Sequence, residues 1–256
     1  LHVKANPGSD YGYASDQSQL MEGEVWHNLG YKGEGITIAV LDAGFTNVNT
    51  ISSFQHLWSS GKVKGYWDFV ENNSNVFDKH GHGTAVLSTI GAVKANEFAG
   101  TAPGASFWLL RSEAGASESV SEEYNWLAAA EFADSAGADI INSSLGYTLF
   151  DDASQNHSYA DLDGNTTVIT RAADKAFSKG RIVVSSAVNY GNSPWYYLGA
   201  PADGTNVLAV GATDNRGKYA QFSSRGPSFD GRIKPNVACV GRYSAVLNTD
   251  GNVVYS

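Results

Sequence analysis

Two histidines separated by one residue lie in a glycine-rich segment: Asp78-Lys79-His80-Gly81-His82-Gly83-Thr84. The flanking glycines leave little side-chain bulk around His82, and the apolar residues that follow, as far as Val93, recur at roughly helical spacing. These features predict an imidazole at the start of a buried helix, where it is fixed and still reachable. Three interpretations are open: His82 is a general base, His80 and His82 bind a metal ion, or both only begin the helix.

A carboxylate that could act together with this imidazole precedes it in the chain. Asp42 comes directly after a short apolar run, residues 36–41, and Gly44 lies just beyond it. A buried carboxylate can hold an imidazole in one tautomer and stabilise the imidazolium that forms during proton transfer. Asp42 and His82 are therefore candidates for acid–base chemistry, and a nucleophile would have to follow them in the chain.

These residues need a scaffold, and the hydrophobic pattern indicates which one. Segments with apolar residues at helical spacing alternate with short, continuous apolar runs. Such runs are typical of strands in a parallel sheet that is covered by helices. The predicted helices are 17–28, 84–94, 121–136 and 166–179, and the predicted strands are 36–41, 63–70, 106–111, 138–144, 181–187 and 206–212. Strands that alternate with helices imply βαβ crossovers, so we expect an α/β fold with a mostly parallel central sheet.

Polar residues follow several of the predicted strands. Asp42 follows the first core strand, Ser144 follows the apolar pair at 140–141, and Asn189 follows the run at 182–184. Ligands bind at the carboxyl ends of parallel strands, so these residues are expected to form one rim. Loops at strand ends also need polar residues in proteins without a site there, and that alternative stays open for each residue taken alone.

Composition restricts the class of protein. With 42% hydrophobic and 17% charged residues among 256, the chain can bury a real core. A net charge of -9 argues against a nucleic-acid partner, one cysteine excludes an intrachain disulfide, and no run approaches the roughly 20 apolar residues of a membrane span. No linker divides the chain, so we predict a lead-in at 1–16, without the pattern of a signal peptide, and one domain at 17–256.

Eight segments resemble, in the same order, motifs of subtilisin-type serine peptidases. They are Ile38–Gly44, Gly81–Thr84, Gly100–Pro103, Ile140–Gly146, Ser186–Asn189, Ala200–Ala202, Val207–Ala212 and Phe222–Pro227. The order of Asp42 before His82 is also the order found in subtilisins. The resemblance, which extends from about Gln17 to the last residue, implies the three-layer subtilisin-like fold, a mostly parallel sheet flanked by helices. It also implies serine endopeptidase activity on peptide or protein substrates.

The resemblance assigns catalytic roles to three residues. Asp42 would orient His82, and His82 would act first as the general base and then as the general acid. Asn189 would donate its side-chain amide to the oxyanion that develops in the transition state.

The same resemblance assigns the residues that bind the substrate. Residues 114–119 would form one wall of the cleft, and three consecutive residues opposite would bind an extended peptide as an added strand: Ser144, Leu145 and Gly146. Gly199 matches the base of the first specificity pocket, whereas Val188 replaces a glycine in its wall. A valine there narrows the pocket, and no acidic residue stands at 190 or 191. We therefore predict a small or medium apolar residue, not Lys or Arg, before the scissile bond.

The nucleophile motif of the family, Gly-Thr-Ser followed by a small residue and a proline, does not occur in the 256 residues. Ser256 is not preceded by Gly-Thr, so it is not assigned as the nucleophile. We expect a fold that is incomplete at its C-terminus, a serine beyond this chain and no triad activity from this polypeptide alone. Its own C-terminal fragment would then be a partner. The alternative is a catalytically silent, peptide-binding relative.

Two further features bear on the aspartate and on cofactors. Ala43 replaces the Ser or Thr usual after the aspartate, which removes one possible hydrogen bond to Asp42. The insertion 147–165 contains Asp161 and Asp163, whose alternating oxygen ligands suit a structural calcium ion. The alternative is a solvated loop that caps the next helix. No other cofactor is predicted.

A metal hydrolase is the remaining enzyme class, in which His80 and His82 would bind zinc together with Asp42 or Asp78. Metallo-β-lactamase-like sites also use His-x-His but continue with Asp-His, whereas Gly-Thr follows here, so the peptidase is favoured. The lone Cys239 has apolar neighbours and is expected in the core. The resemblance to exported bacterial members implies a secreted, periplasmic or cell-surface location.

Overall fold

The computed structural model describes residues 11–256. Its helices are α1 Ser15–Leu20, α2 Gly23–Asn28, α3 Gln55–Ser59, α4 His82–Gly91, α5 Ser121–Ser135 and α6 Val168–Ser178, with short 3-10 helices at Ser52–Phe54, Ala153–Gln155 and Tyr159–Asp161. Its strands are β1 Thr37–Asp42, β2 Val63–Asp68, β3 Val93–Lys94, β4 Phe98–Ala99, β5 Ser106–Arg111, β6 Ile140–Ser143, β7 Ile182–Ser186, β8 Leu208–Thr213, β9 Val237–Val240, β10 Ala245–Leu247 and β11 Val253–Tyr255.

Seven strands form one sheet in the order β2-β5-β1-β6-β7-β8-β9, and every neighbouring pair is parallel. From β1 the chain builds the sheet outward in both directions, first to β2 and β5 and later to β6 and beyond. The carboxyl end of β1 is therefore the topological switch point, where open α/β sheets bind their ligands. Asp42 is the last residue of β1 and lies at this point.

Each face of the sheet packs against its own helices. α5 and α6 cover one face, where Leu41, Trp126 and Ile141 are fully buried in one hydrophobic core. α4 covers the other face, where Val40 and Leu87 belong to a second core. Alternate residues of β1 enter different cores because successive side chains of a strand point to opposite faces. Truncation of a buried leucine such as Leu41 to alanine would cost about 2–5 kcal/mol. The predicted three-layer α/β fold is thus confirmed.

One part of the second face carries an open groove of about 870 Å³. It runs along β6, β7 and β8, and Asn142, Val184 and Val210 point into it together with Phe222. Cys239 of β9 also lines the groove and is only partly buried, so the prediction of a core cysteine is wrong. The edge position of β9 leaves one side of that strand open.

The predicted helix 17–28 is interrupted in the structure. Glu22 has a φ of 54° in the left-handed region, and it separates α1 from α2. The apolar residues that suggested one helix remain substantially exposed, with Val25 and Trp26 each 52% exposed. No continuous buried face therefore holds this segment straight. β9 was not predicted, because its exposed residues Val237 and Ala238 do not follow the pattern of a buried strand.

The predicted lead-in at 1–16 lies largely outside the described residues. Of its described part, Tyr11 and Ala14 are buried against the body of the protein. The boundary at residue 17 stays a prediction. Across residues 11–256, none of the helices combines the length and the apolar character that a membrane crossing needs.

Candidate active site

A carboxylate and an imidazole meet at the carboxyl end of β1. Asp42 is fully buried, and its Oδ1 accepts hydrogen bonds from His82 Nδ1 at 2.8 Å and from the Ala43 backbone N–H at 2.8 Å. The side chain of His82 is 43% exposed. The imidazole is therefore fixed from behind by a buried acceptor, while its Nε2 edge makes no hydrogen bond to residues 11–256.

This contact depends on a close approach of α4 to β1. His82 is the first residue of α4, and Gly83 is the second. A Cβ at position 83 would lie 2.4 Å from the Gly44 carbonyl oxygen and 3.0 Å from the Cβ of Asp42. A side chain there would push the helix start away from the strand, so the glycine after the histidine is a steric requirement of the pair.

The surroundings of His82 favour its protonated form. The hydrogen bond to Asp42 raises the pKa of His82, burial opposes the rise, and the charges of Asp42 and Glu113 add to it. The second carboxylate oxygen, Asp42 Oδ2, is buried and has no hydrogen-bond partner among the described residues. Ala43 has no hydroxyl to offer, in line with the hydrogen bond that the sequence predicts to be lost there.

A cleft of about 300 Å³ opens on His82. It collects most of the predicted site residues in one place: His82, Ser144, Leu145, Gly146, Val188 and Asn189. Asp42 lies behind His82, and Gly199 lies behind Val188. The cleft is also lined by six residues that the resemblance does not assign to catalysis or to individual substrate contacts: Ala43, His80, Glu113, Glu118, Ser186 and Tyr190.

One side of the cleft is an unpaired backbone edge. Ser144, Leu145 and Gly146 follow β6, and none of their backbone groups makes a hydrogen bond within the described part of the chain. The chain is anchored directly after them, because the Tyr147 N–H donates to the Ala200 carbonyl at 2.9 Å and the Ala200 N–H donates back at 3.2 Å. A fixed, extended segment with free N–H and C=O groups can accept a peptide as an additional strand.

Val188 fills space between two glycines. A Cβ placed on Gly146 would lie 2.1 Å from Val188 Cγ1, and one placed on Gly199 would lie 3.3 Å from Val188 Cγ2. The φ of Val188 is 65°, a left-handed conformation that is strained for a β-branched residue. Ser186 and Ser224 hold it there: Ser186 Oγ accepts the Val188 N–H at 3.0 Å, and the Val188 carbonyl accepts the Ser224 N–H at 3.0 Å.

Asn189 follows this strained residue and is exposed to the cleft. Its side-chain amide makes no hydrogen bond to the rest of residues 11–256, so both amide hydrogens are available to a ligand. The next backbone N–H, of Tyr190, donates to the buried Ser224 Oγ at 2.8 Å, and the Gly191 N–H donates to the Phe222 carbonyl at 2.8 Å. The loop that carries Asn189 is thus pinned on both sides.

Arg111 is a structural support of the site that the motifs did not indicate. It is buried at the end of β5, beside Asp42 in the sheet register. Its guanidinium pairs with the buried Asp68 at 2.6 Å and donates to the carbonyl of Ala43 at 3.0 Å and of Ala114 at 3.3 Å. It therefore ties the residue after the aspartate to the wall of the cleft. The only sequence signal for this role of Arg111 was its position as a charged residue at the end of an apolar strand.

The loop 113–119 forms the wall opposite the free backbone edge. Burial raises the pKa of Glu113 to about 7, the charges of Glu118, Glu122 and Asp42 add to the rise, and His82 opposes it. Glu118 is partly exposed, and its partial burial, together with the charges of Glu122 and Asp151, raises its pKa to about 7. Two carboxyl groups of the cleft thus change charge near neutral pH.

The histidine pair and the acidic loop were considered as metal sites. His80 is exposed, and its Nδ1 accepts the backbone N–H of His82 at 3.2 Å, while His82 Nδ1 is engaged with Asp42. Among residues 11–256, no group of three or more His, Cys, Asp or Glu side chains is arranged to hold a metal ion. Asp161 accepts hydrogen bonds from the N–H and O–H of Ser158, and Asp163 accepts from the two residues that follow Gly164.

Sequence comparison places these features in a known group. Residues 33–255 match the model of the Peptidase S8, Subtilase family. The chain is 30% identical to subtilisin DY of Bacillus licheniformis over 236 residues, which covers 91% of this chain and 76% of that protein. It is 33% identical over 204 residues to thermitase of Thermoactinomyces vulgaris, and the match covers 78% of this chain. The match spans only 62% of the length of thermitase.

Structural comparison gives the same fold. The MycP3 protease from the type VII (ESX-3) secretion system superposes with a TM-score of 0.72 at 22% identity, over 98% of this chain and 71% of that one. MycP1 with its N-terminal propeptide removed superposes with a TM-score of 0.67 at 22% identity, over 94% and 74% of the two chains.

Proposed function

The chain belongs to the subtilase family, and on that premise we propose that it forms the larger part of a serine endopeptidase acting on peptides or proteins. The observation that carries the proposal is the 2.8 Å contact between His82 Nδ1 and the buried Asp42, in the same cleft as an unpaired backbone edge. This arrangement offers a base beside a place for an extended substrate.

In the proposed mechanism, Asp42 holds the tautomer of His82 in which Nδ1 carries the proton, so Nε2 is the basic atom. Nε2 takes the proton of a serine hydroxyl during attack and later gives it to the leaving amine. The free amide of Asn189 donates to the oxygen that becomes negatively charged in the tetrahedral intermediate. Asp42 stabilises the imidazolium form of His82, which develops in the transition state. Asp42 therefore stabilises the transition state more than the ground state.

The substrate lies as an added strand along Ser144, Leu145 and Gly146, whose backbone groups make no hydrogen bond to residues 11–256. Its residue before the scissile bond enters the pocket bounded by Val188 and Gly199. The valine side chain occupies space between Gly146 and Gly199, which supports the preference for small or medium apolar residues at that position.

The nucleophile is proposed to reside on a segment that follows residue 256. The open groove of about 870 Å³ shares Ser144, Ser186 and Asn189 with the cleft, and Ser256 lines it as well. A helix that carries the serine at its start and lies in this groove would bring the hydroxyl to His82. Such a segment is the proposed partner, whether continuous with the chain or cleaved from it, and this chain alone is proposed to be inactive.

A fluorophosphonate probe tests the mechanism, because it reacts only with an activated serine. The full gene product should be labelled at a serine in a Gly-Thr-Ser sequence beyond residue 256, and the His82→Ala variant should not. The 256-residue chain alone should remain unlabelled. Labelling within residues 1–256, or peptide cleavage that the probe does not inhibit, would overturn the assignment.

A catalytically silent, peptide-binding relative is the second candidate, and the strained, pocket-filling Val188 is the observation that favours it. That protein would bind an extended peptide in the same cleft, but it would neither cleave the peptide nor react with the probe. Peptide binding by the full gene product without labelling would therefore decide for the silent relative.

Calcium near Asp161 and Asp163 and an exported location stay predictions. Oδ2 of Asp161 and both carboxylate oxygens of Asp163 already accept hydrogen bonds from neighbouring residues of the loop, so an ion there would share or replace those partners. Thermal unfolding with and without calcium tests the first prediction: a rise in the midpoint that Asp163→Asn removes supports a site. Fractionation of the source cells tests the second.

A further inference from the structure

Glu113 occupies a central place in the cleft. It follows Ser112, whose backbone N–H donates to the Asp42 carbonyl at 3.0 Å, and it lines the cleft together with His82 and the edge at 144–146. Its carboxyl group therefore belongs to the same cleft as the base and the segment along which the proposed substrate runs. A substrate side chain that projects from that edge into the cleft comes close to Glu113.

The carboxylate of Glu113 has few hydrogen-bond donors and no close positive charge among the described residues. The Tyr147 hydroxyl approaches its Oε2 at 3.5 Å, a long contact, and no Lys, Arg or His nitrogen among the described residues lies within 4.0 Å of it. A carboxylate that is mostly buried is stable only when a donor or an opposite charge accompanies it. The raised pKa of Glu113, about 7, reflects this burial and the neighbouring charges of Glu118, Glu122 and Asp42.

The wall that carries Glu113 is rigidly built. The buried Glu122 accepts the backbone N–H of Ala114 at 2.7 Å and of Ser119 at 3.1 Å. Asp151 and Glu118 exchange hydrogen bonds, at 2.9 Å from the Asp151 N–H and 3.1 Å to the Asp151 carboxylate. Because both ends of the loop are tied down, its backbone holds residues 113 and 118 in the lining of the cleft.

We propose that Glu113, assisted by Glu118, makes this cleft select peptides that carry a Lys or Arg side chain at a position lying along Ser144–Gly146. The inference rests on the proposed function of the cleft as a peptide-binding site. It concerns a position other than the one beside the scissile bond, where Val188 leaves space only for a small or medium apolar residue. The cation supplies the opposite charge that Glu113 lacks among residues 11–256.

Binding, rather than cleavage, is the suitable measurement, because it does not depend on the nucleophile. A fluorescent alanine peptide is prepared with a single Lys at each position in turn, and a matched series carries norleucine, which has similar length and no charge. At about pH 8.5 we expect the 256-residue chain to bind Lys about tenfold or more tightly than norleucine at one or two positions.

The pH dependence of this ratio follows from the groups that face Glu113. These are Asp42, His82, Glu118, Glu122 and Tyr147. Near pH 5.5 Glu113 is mainly protonated, so the preference for Lys should fall toward unity. Protonation of His82 acts in the same direction, because it adds a positive charge beside the cation. The Glu113→Gln variant separates the two, since it should abolish the preference at about pH 8.5 as well.

Glu131→Gln is the matched control, because Glu131 is exposed on α5 and outside the cleft, and it should retain the preference. If Glu113→Gln fails to fold, as judged by circular dichroism, Glu118→Gln and the pH dependence of the unmodified chain decide instead. Equal binding of Lys and norleucine peptides overturns the proposal and leaves peptide binding intact. A preference that survives both Glu→Gln substitutions also overturns it. Failure of every peptide to bind overturns the proposed function, and this inference with it.

Discussion

The two sides of the cleft are held in place by different means. On the side of the base, His82 begins a regular helix and Asp42 ends a regular strand, and their contact needs only a glycine between them. On the side of the specificity pocket, Val188 has a strained backbone and Asn189 stands on a loop pinned by Ser224. Regular elements position the residues proposed for proton transfer, and loop geometry positions the residues proposed to select the substrate.

This difference implies that the proposed catalytic step and the proposed substrate selection depend on different parts of the structure. The ends of β1 and α4 are set by two hydrophobic cores, so small changes on the surface leave them in place. The pocket side depends on one side chain that fills a space between Gly146 and Gly199. Substitutions on the first side should therefore change the rate, whereas substitutions on the second should change which peptide is accepted.

The largest effect is expected from His82→Ala in the full gene product. Loss of the base should lower kcat by on the order of 10⁶-fold, because the serine hydroxyl keeps its proton. Hydrolysis of a chromogenic peptide measures the effect. His80→Ala is the matched control in the same cleft and should lose less than about tenfold. Equal losses in the two variants would show that the base has been assigned to the wrong histidine.

Asn189→Ala should have the next largest effect. Removal of the amide donor should lower kcat on the order of 10²–10³-fold, the range known for the corresponding donor of a subtilisin, with little change in KM. The exposed Asn192, two positions beyond Tyr190, provides the control, and Asn192→Ala should behave like the unmodified enzyme. A rise in KM without a fall in kcat would mean that Asn189 binds the ground state rather than the oxyanion.

Val188→Gly tests the other side of the comparison. Removing the side chain should open the pocket, so the ratio of kcat/KM for a peptide with Phe before the scissile bond to that for one with Ala should rise about 10–200-fold. Val188→Ala should give an intermediate ratio. Relief of the left-handed strain, about 1–3 kcal/mol, offsets the backbone entropy of glycine, so the midpoint of thermal unfolding should not fall. An unchanged ratio would contradict the pocket assignment.

The smallest expected effect is a shift in the pH dependence of activity, which depends on Glu113 in the cleft wall as well as on His82. In the proposed mechanism the neutral form of His82 is the active one, and Asp42 and Glu113 raise its pKa above the ordinary 6.5. For an uncharged substrate, kcat/KM should therefore increase with pH through a midpoint above 6.5. Glu113→Gln removes a negative charge and should move this midpoint downward, while Glu131→Gln should leave it in place. An upward shift in Glu113→Gln would exclude the electrostatic coupling.

The regular half of the site was predictable from sequence because its signals are local. The apolar run before Asp42 and the glycine-flanked His82 each predict an element and its end, and the order of strands and helices predicts a parallel sheet. Parallel strands bring their carboxyl ends to one rim, so Ser144 and Asn189 were expected near Asp42. The structure brings all of these residues to one cleft or directly behind it.

The remaining features depend on contacts between residues distant in sequence. The left-handed conformation of Val188 follows from hydrogen bonds to Ser186 and Ser224, which no pattern around residue 188 reveals. The link from Arg111 to Asp68 and Ala43 requires knowledge of the strand order. The interruption at Glu22 results from the lack of a buried face, which periodicity alone cannot detect.

The central position of β1 has a consequence for the time course of synthesis. Its neighbours are β5 and β6, and Ile38 pairs with Ile140, a residue made roughly 100 positions later. At about 5–20 residues per second, the ribosome needs about 5–20 s to supply that partner. Throughout this interval the apolar strand that ends in Asp42 lacks a complete sheet, and a nascent chain in that state is a target for chaperones. The carboxylate proposed to orient the base is thus among the first site residues to be made, and its surroundings are completed much later.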